Sequence, residues 1–202
     1  MWLGQRLFIE MIWYYKMTSE INTKEIAAKA RDAKAIMACL SESEKNSVLD
    51  GFKTNLLLNK KKILEANQID LLNAEKKELS QAFIDRLKLN AERVQAMADS
   101  ISEIINLPDP VGQVTSEWER PNGLKIKRVQ TPIGVIAIIY ESRPNVTVDA
   151  SALSFKSGNP CILRCGADSI NSCNEIFKSI EQSIEDIGLP KSCIQFINNS
   201  DR

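Results

Sequence analysis

Two short segments hold the residues best suited to chemistry. One is Tyr140-Glu141-Ser142-Arg143-Pro144-Asn145; the other is Arg164-Cys165-Gly166-Ala167-Asp168-Ser169. Each sets an arginine where an apolar run ends and a helical pattern begins. A guanidinium beside the free N–H groups of a helix amino terminus is a natural receptor for phosphate. The opposing reading is a pair of surface ion pairs, Arg143 with Glu141 and Arg164 with Asp168, and spacing alone leaves both open. Neither GxGxxG nor GxxxxGK[ST] is present, so the standard phosphate loops do not apply. The chain has no histidine. That excludes Ser-His-Asp and Cys-His nucleophile systems, HExxH zinc proteases and the HRD kinase loop. The cysteines Cys39, Cys161, Cys165, Cys173 and Cys193 are odd in number and lack zinc-ribbon or CxxC spacing. They read as small, buried, reduced thiols, and no metal site is expected.

The elements that must position these segments change character midway. Ala30, Ala33, Met37 and Leu40 recur at helical spacing. Ser41-x-x-Glu44 is a capping box opening a second helix, which is expected to run through Leu49, Phe52, Leu56 and Ile63 without a stop. Lys60-Lys61-Lys62 reads as a solvated face of it. Asn90 caps a third helix with a Val94, Met97, Ala98, Ile101, Ile105 stripe, and Pro108 ends it. Thereafter Gln113 to Trp118 and Leu124 to Val129 read as a hairpin around Asn122-Gly123. The continuous apolar run from Ile133 to Ile139 suits a strand buried on both faces. A helix from Asn145 to Ser157, a strand over Cys161 to Arg164, a helix from Ser169 to Ile187 and a strand over Cys193 to Ile197 follow. This β-α-β-α-β order predicts an α/β fold with a doubly wound parallel sheet, whose ligands bind beyond the carboxyl ends of the strands.

Of the 202 residues, 44% are hydrophobic, and 26 basic residues balance 26 acidic ones. A net charge of zero argues against a general nucleic-acid binder, which needs a basic excess. Residues 1–16, MWLGQRLFIEMIWYYK, are too short to span a bilayer and lack a signal-peptide pattern. They read as a non-native extension before a natural start at Met17, with a membrane-surface anchor as the alternative. No membrane partner is expected, and the location is read as cytoplasmic. Residues 17–110 read as the helical layer of a cofactor domain, 111–130 as the hairpin and 131–202 as a partial β-α-β-α-β unit.

Several strings carry more than this. In order, they are Leu107-Pro108-Asp109-Pro110-Val111-Gly112, Trp118 with Pro121-Asn122-Gly123-Leu124, Pro132-Ile133-Gly134-Val135-Ile136, Tyr140 to Thr147 with Asp149-Ala150, Lys156-Ser157-Gly158-Asn159 and Ile162-Leu163-Arg164. Ile63 to Asn67 with Asp70-Leu71, and Asp85-Arg86-Leu87, precede them. Together they closely resemble the gamma-glutamyl phosphate reductase family, the proline-biosynthesis branch of the aldehyde dehydrogenase superfamily. The resemblance implies NADPH-dependent reduction of L-glutamyl 5-phosphate to L-glutamate 5-semialdehyde with release of phosphate. In the family a cysteine thiolate attacks the acyl phosphate, and covalent capture splits one hard step into two easier ones.

By the same resemblance, Ser142, Arg143 and Pro144 lie at the nicotinamide and pyrophosphate end, and Asn145 is a candidate for polarising the reacting carbonyl. Arg164 matches a superfamily lysine on the adenosine ribose, where a cation suits the 2′-phosphate of NADP. Asp168, a candidate cofactor-binding residue, falls where the family has glutamate in a short loop, and Cys165 where it has glycine. The hairpin belongs to oligomerisation, so a homo-oligomer is a possible state. None of the five cysteines stands in the family's catalytic-cysteine segment, so no nucleophile is expected here. The sequence is expected to be the amino-terminal piece of the enzyme, inactive alone and completed by a separate carboxyl-terminal half. The alternative is a non-catalytic nucleotide-binding or interaction remnant.

Overall fold

A computed structural model describes residues 23–199. The expectation for residues 1–16 and the start at Met17 lies outside the described residues. Helix α1, Thr23–Cys39, buries Ala30, Ala33 and Met37. Helix α2, Glu42–Leu58, opens on the capping box: the Glu44 N–H donates to Ser41 Oγ (3.3 Å) and the Ser41 N–H donates to the Glu44 carboxylate (2.8 Å). The expected long helix is interrupted at Asn59, whose Nδ2 donates to the Asn55 carbonyl at 3.0 Å. A short polar side chain competing for backbone acceptors makes such a break without proline. Helix α3, Lys60–Lys76, continues beyond it. A short helix α4, Gln81–Leu87, then precedes α5, Ala91–Asn106, which Asn90 caps by accepting from the Arg93 N–H at 2.8 Å.

Strands β1, Val114–Glu119, and β2, Lys125–Val129, form the antiparallel hairpin, with Trp118 opposite Ile126. Gly123 at φ +85° supplies the left-handed residue of its turn. The second sheet is parallel, in the order β3-β4-β5: β3 is Ile136–Ile139, β4 is Cys161–Arg164 and β5 is Ile194–Phe196. Helix α6, Asn145–Lys156, joins β3 to β4, and α7, Ile170–Asp186, joins β4 to β5. Consecutive burial of Cys161, Ile162 and Leu163 shows that both faces of β4 are covered, and α1 packs on β4 and β5.

The run from Ile133 to Ile139 departs from expectation. Only Ile136–Ile139 is strand, and it is an edge strand, with Ile133 84% and Ile139 75% exposed. Its apolar continuity therefore does not reflect burial on both faces.

One apolar core joins the helices to the sheet. Phe52 of α2 meets Phe155 of α6 edge to face, with ring centroids 5.8 Å apart. Where α2 crosses α7, Gly51 permits close approach: a Cβ there would lie 3.0 Å from Ser183 Cβ. Buried charge is satisfied. Fully buried Lys45 pairs with Asp109 at 2.7 Å, and the Lys156 ammonium donates to Asn46 Oδ1 (2.7 Å) and the Ile105 carbonyl (3.0 Å). The aspartate of the Leu107 to Gly112 string is thus a structural partner for a core lysine.

Candidate functional site

The carboxyl ends of β3 and β4 open into a cleft of about 150 Å³ lined by Tyr140, Ser142, Arg164, Asp168 and, from α4, Phe83. The Tyr140 N–H donates to the Arg164 carbonyl at 3.0 Å, so the parallel ladder carries both segments to the same edge. The chain then turns sharply. Ser142 is buried and sits at φ +43°, a left-handed conformation that costs a non-glycine residue energy and occurs where a turn is tightly held. A bond of 2.7 Å between the Tyr140 hydroxyl and Thr147 Oγ1 closes this turn onto the first turn of α6. Burial and the neighbouring Cys173 thiol hold the Tyr140 phenol above its ordinary pKa, so it stays neutral.

The sequence-derived residues separate. Ser142, Arg164 and Asp168 line the strand-end cleft. Asn145 lines a different cavity, of about 340 Å³, between α5 and α6 and bordered by the end of α4. Arg143 is exposed and Pro144 buried, and neither lines either space.

The two helix amino termini also differ. Helix α6 begins without a side-chain cap. The start of α7 is taken: the Asp70 carboxylate, reaching over from α3, accepts the Ser172 N–H (2.8 Å) and the Asn171 N–H (3.3 Å). The N–H groups expected to be free for phosphate behind Arg164 are thus already satisfied by a carboxylate.

Asp168 takes Lys77 at the end of α3 as its partner, Nζ to Oδ1 at 2.6 Å. Four of the five cysteines are buried and Cys39 is exposed, which corrects the expectation of five buried thiols. Cys165 closes the cleft floor but turns inward. Its hydrogen bond to Cys173 and its burial hold its thiol above the ordinary value. Among the described residues no group of histidine, cysteine and carboxylate side chains could hold a metal ion, and no helix is long and apolar enough to cross a membrane. Lys77 and Phe83 carried no signal in the sequence: both stand far from the turns, and α4 lacks an extended periodic stripe.

No protein-family model matches the chain. An acetylating aldehyde dehydrogenase from Geobacillus thermoglucosidasius superimposes with a TM-score of 0.61 at 14% identity, over 88% of this chain and 36% of that one. The class is therefore that of the aldehyde dehydrogenase fold, of which the chain matches the amino-terminal part. Gamma-glutamyl phosphate reductase from Thermotoga maritima superimposes with a TM-score of 0.85 at 42% identity, over 88% of this chain and 43% of that one. Gamma-glutamyl phosphate reductase from Bartonella quintana is 48% identical over 179 residues, 89% of this chain and 43% of the relative. The chain is thus similar to gamma-glutamyl phosphate reductases and spans less than half the length of these relatives.

Proposed function

We propose that the chain supplies the cofactor-binding part of a cytoplasmic, NADP-dependent oxidoreductase of proline biosynthesis. Its reaction reduces L-glutamyl 5-phosphate to L-glutamate 5-semialdehyde and releases phosphate. The observation that carries this reading is the convergence of Ser142, Arg164 and Asp168 on one cleft at the carboxyl ends of adjacent parallel strands, where open α/β sheets bind ligands. The residues present suit a dinucleotide. Arg164 offers a cation, and half-buried Phe83 offers an apolar wall. NADPH, when bound, supplies the hydride.

The chain's own residues bind and orient. Lys77 compensates the Asp168 carboxylate, which would otherwise repel a 2′-phosphate approaching Arg164. The strained Ser142 turn, tied down by Tyr140 and Thr147, holds the start of α6 fixed beside the reacting end. Arg143 and Pro144 contribute through the shape of that turn. None of the five thiols is placed as a nucleophile at this cleft: Cys165 faces Cys173, and Cys39 stands at the far end of α1. In this reading the nucleophile comes from outside the chain.

Calorimetric titration tests the cofactor assignment. Arg164→Ala should weaken NADP binding by about 1–3 kcal/mol, the scale of a charge-assisted bond, and NAD binding far less. Equal losses for both dinucleotides, or no NADP binding by the folded parent chain, would overturn it.

A further inference from the structure

The larger cavity, about 340 Å³, meets the Tyr140–Asn145 turn at its Asn145 end, where Asn145 and Asp149, one turn apart on α6, both line it. Its charges are mixed. Arg86 comes from the last turn of α4, Lys88 from the connection that follows it and Asp149 from α6, while Met97 of α5 lends an apolar surface. Asp149 is held but not neutralised: Oδ1 accepts from Ser100 Oγ at 3.1 Å, Oδ2 accepts from Asn145 Nδ2 at 3.3 Å, and no cation pairs with it among the described residues.

Arg93, also at this cavity, is spent on structure. Its Nη1 donates to the Asp85 carbonyl (2.5 Å) and the Lys88 carbonyl (2.6 Å), which fixes the connection. Arg86 uses only Nε, donating to the Ala82 carbonyl at 3.1 Å. Its terminal Nη groups and the Lys88 ammonium have no partner among the described residues.

A simple anion entering here would meet Asp149, and a simple cation would meet Arg86 and Lys88. A ligand carrying both charges on neighbouring atoms satisfies all three. We infer that this cavity holds the zwitterionic α-amino-acid head of the substrate, its carboxylate toward Arg86 and Lys88 and its ammonium on Asp149, with Ser100 and Asn145 as positioning residues for that carboxylate. The inference rests on the reductase reading for the identity of the substrate. It moves Asn145 from polarising the reacting carbonyl to shaping the subsite for the opposite end of the same molecule. Ser142 lines the cleft proposed for the cofactor and Asn145 lines this cavity, so the two spaces adjoin the same turn of chain.

The full 202-residue chain tests this by titration with L-glutamate, glutarate and 4-aminobutyrate, followed by calorimetry and by chemical-shift changes. Glutarate lacks the ammonium, and 4-aminobutyrate lacks the α-carboxylate. L-Glutamate should bind at least roughly tenfold tighter than either, the equivalent of about 1.4 kcal/mol for one added charge-assisted contact. Asp149→Asn should cut glutamate affinity to that of glutarate. Arg86→Gln with Lys88→Gln should cut it to that of 4-aminobutyrate. Ser100→Ala leaves the charges in place and should reduce affinity less than Asp149→Asn, and each variant's thermal transition is recorded to show that it folds. Equal affinity for the three acids, no glutamate binding by the folded chain, or variants that leave the glutamate preference unchanged would overturn the inference. NADP titration is scored separately. Glutamate binding without NADP binding would sink the cofactor assignment and leave the head site standing, and NADP binding without glutamate binding would do the reverse.

Discussion

Asp70 is the residue whose loss should be felt most widely. It is 1% exposed, it belongs to α3, and it caps the amino terminus of another helix, α7. Its carboxylate accepts the backbone N–H groups of Asn171 and Ser172, the Asn171 side-chain amide at 2.8 Å and the Ser172 hydroxyl. Asp70→Ala strands two backbone donors in a buried place and removes a charged cap. An orphaned buried donor costs about 1–3 kcal/mol and a lost cap about 1 kcal/mol, and the two overlap, so about 3–5 kcal/mol is expected in all. Against a typical total of roughly 5–15 kcal/mol that is a severe loss. At about 2–4 °C per kcal/mol for a domain of this size, the thermal midpoint should fall by roughly 6–20 °C. Asp70→Asn keeps one acceptor but turns an NH2 toward donors, so it should fall between parent and Ala. Urea denaturation followed by circular dichroism gives the ΔΔG directly. A change below about 1 kcal/mol for Asp70→Ala would mean that water replaces the carboxylate and that α7 needs no cap from α3.

The remaining expectations concern thiols and acid. At pH 8 a maleimide should label Cys39 alone in the native chain, because the other four thiols are buried and burial pushes Cys161 and Cys193 up to about 11. Mass spectrometry counts the labels, and two or more on the folded chain would contradict the packing. The bonds from the Ser41 hydroxyl and N–H hold Glu44 below its ordinary pKa. A depressed folded value means that the capping box is fully worth its stability above the unfolded pKa, about 4.3, and loses it as pH falls through the lower folded value. Denaturation midpoints of the parent and Glu44→Gln should therefore differ at pH 7 and converge below pH 4. A constant gap over that range would show that the carboxylate charge contributes nothing.

Local chemistry was legible in the sequence and long-range chemistry was not. Ser41 with Glu44, Asn90, Asn122-Gly123 and the Pro108 stop each act within a few residues, and the structure has each of them in place. The break at Asn59 escaped because it depends on one amide reaching the Asn55 carbonyl rather than on a proline. The run from Ile133 to Ile139 misled because apolar continuity reports hydrophobic residues, whereas exposure depends on which strand is the edge, a property of the whole sheet. The turns carrying Ser142 and Arg164 were found from their position after apolar runs. Their partners Lys77, Phe83 and Asp70 lie in the helical half, and no spacing rule connects residues so far apart.

Helix α3 explains how the two halves act on the two cavities together. Asn67 on its buried face donates to the Leu87 carbonyl at 2.9 Å and accepts the Leu89 N–H at 2.7 Å, so it grips the end of α4 and the connection after it, which carry Arg86 and Lys88. The same amide donates to Ser172 Oγ at 3.0 Å, and Asp70, three residues on, holds the start of α7. At the end of the helix Lys77 reaches Asp168 in the strand-end cleft. One rigid element therefore touches the walls of both spaces through polar bonds, two sets of which are buried and so costly to leave unmade. The Asn67 and Asp70 positions in the Ile63 to Leu71 string are explained by this geometry. They carry no substrate chemistry; they set the spacing between the cleft proposed for the cofactor and the cavity proposed for the amino-acid head. In the proposed reading the helical layer therefore takes part in binding, through the α3 bonds to the α4–α5 connection and to Asp168.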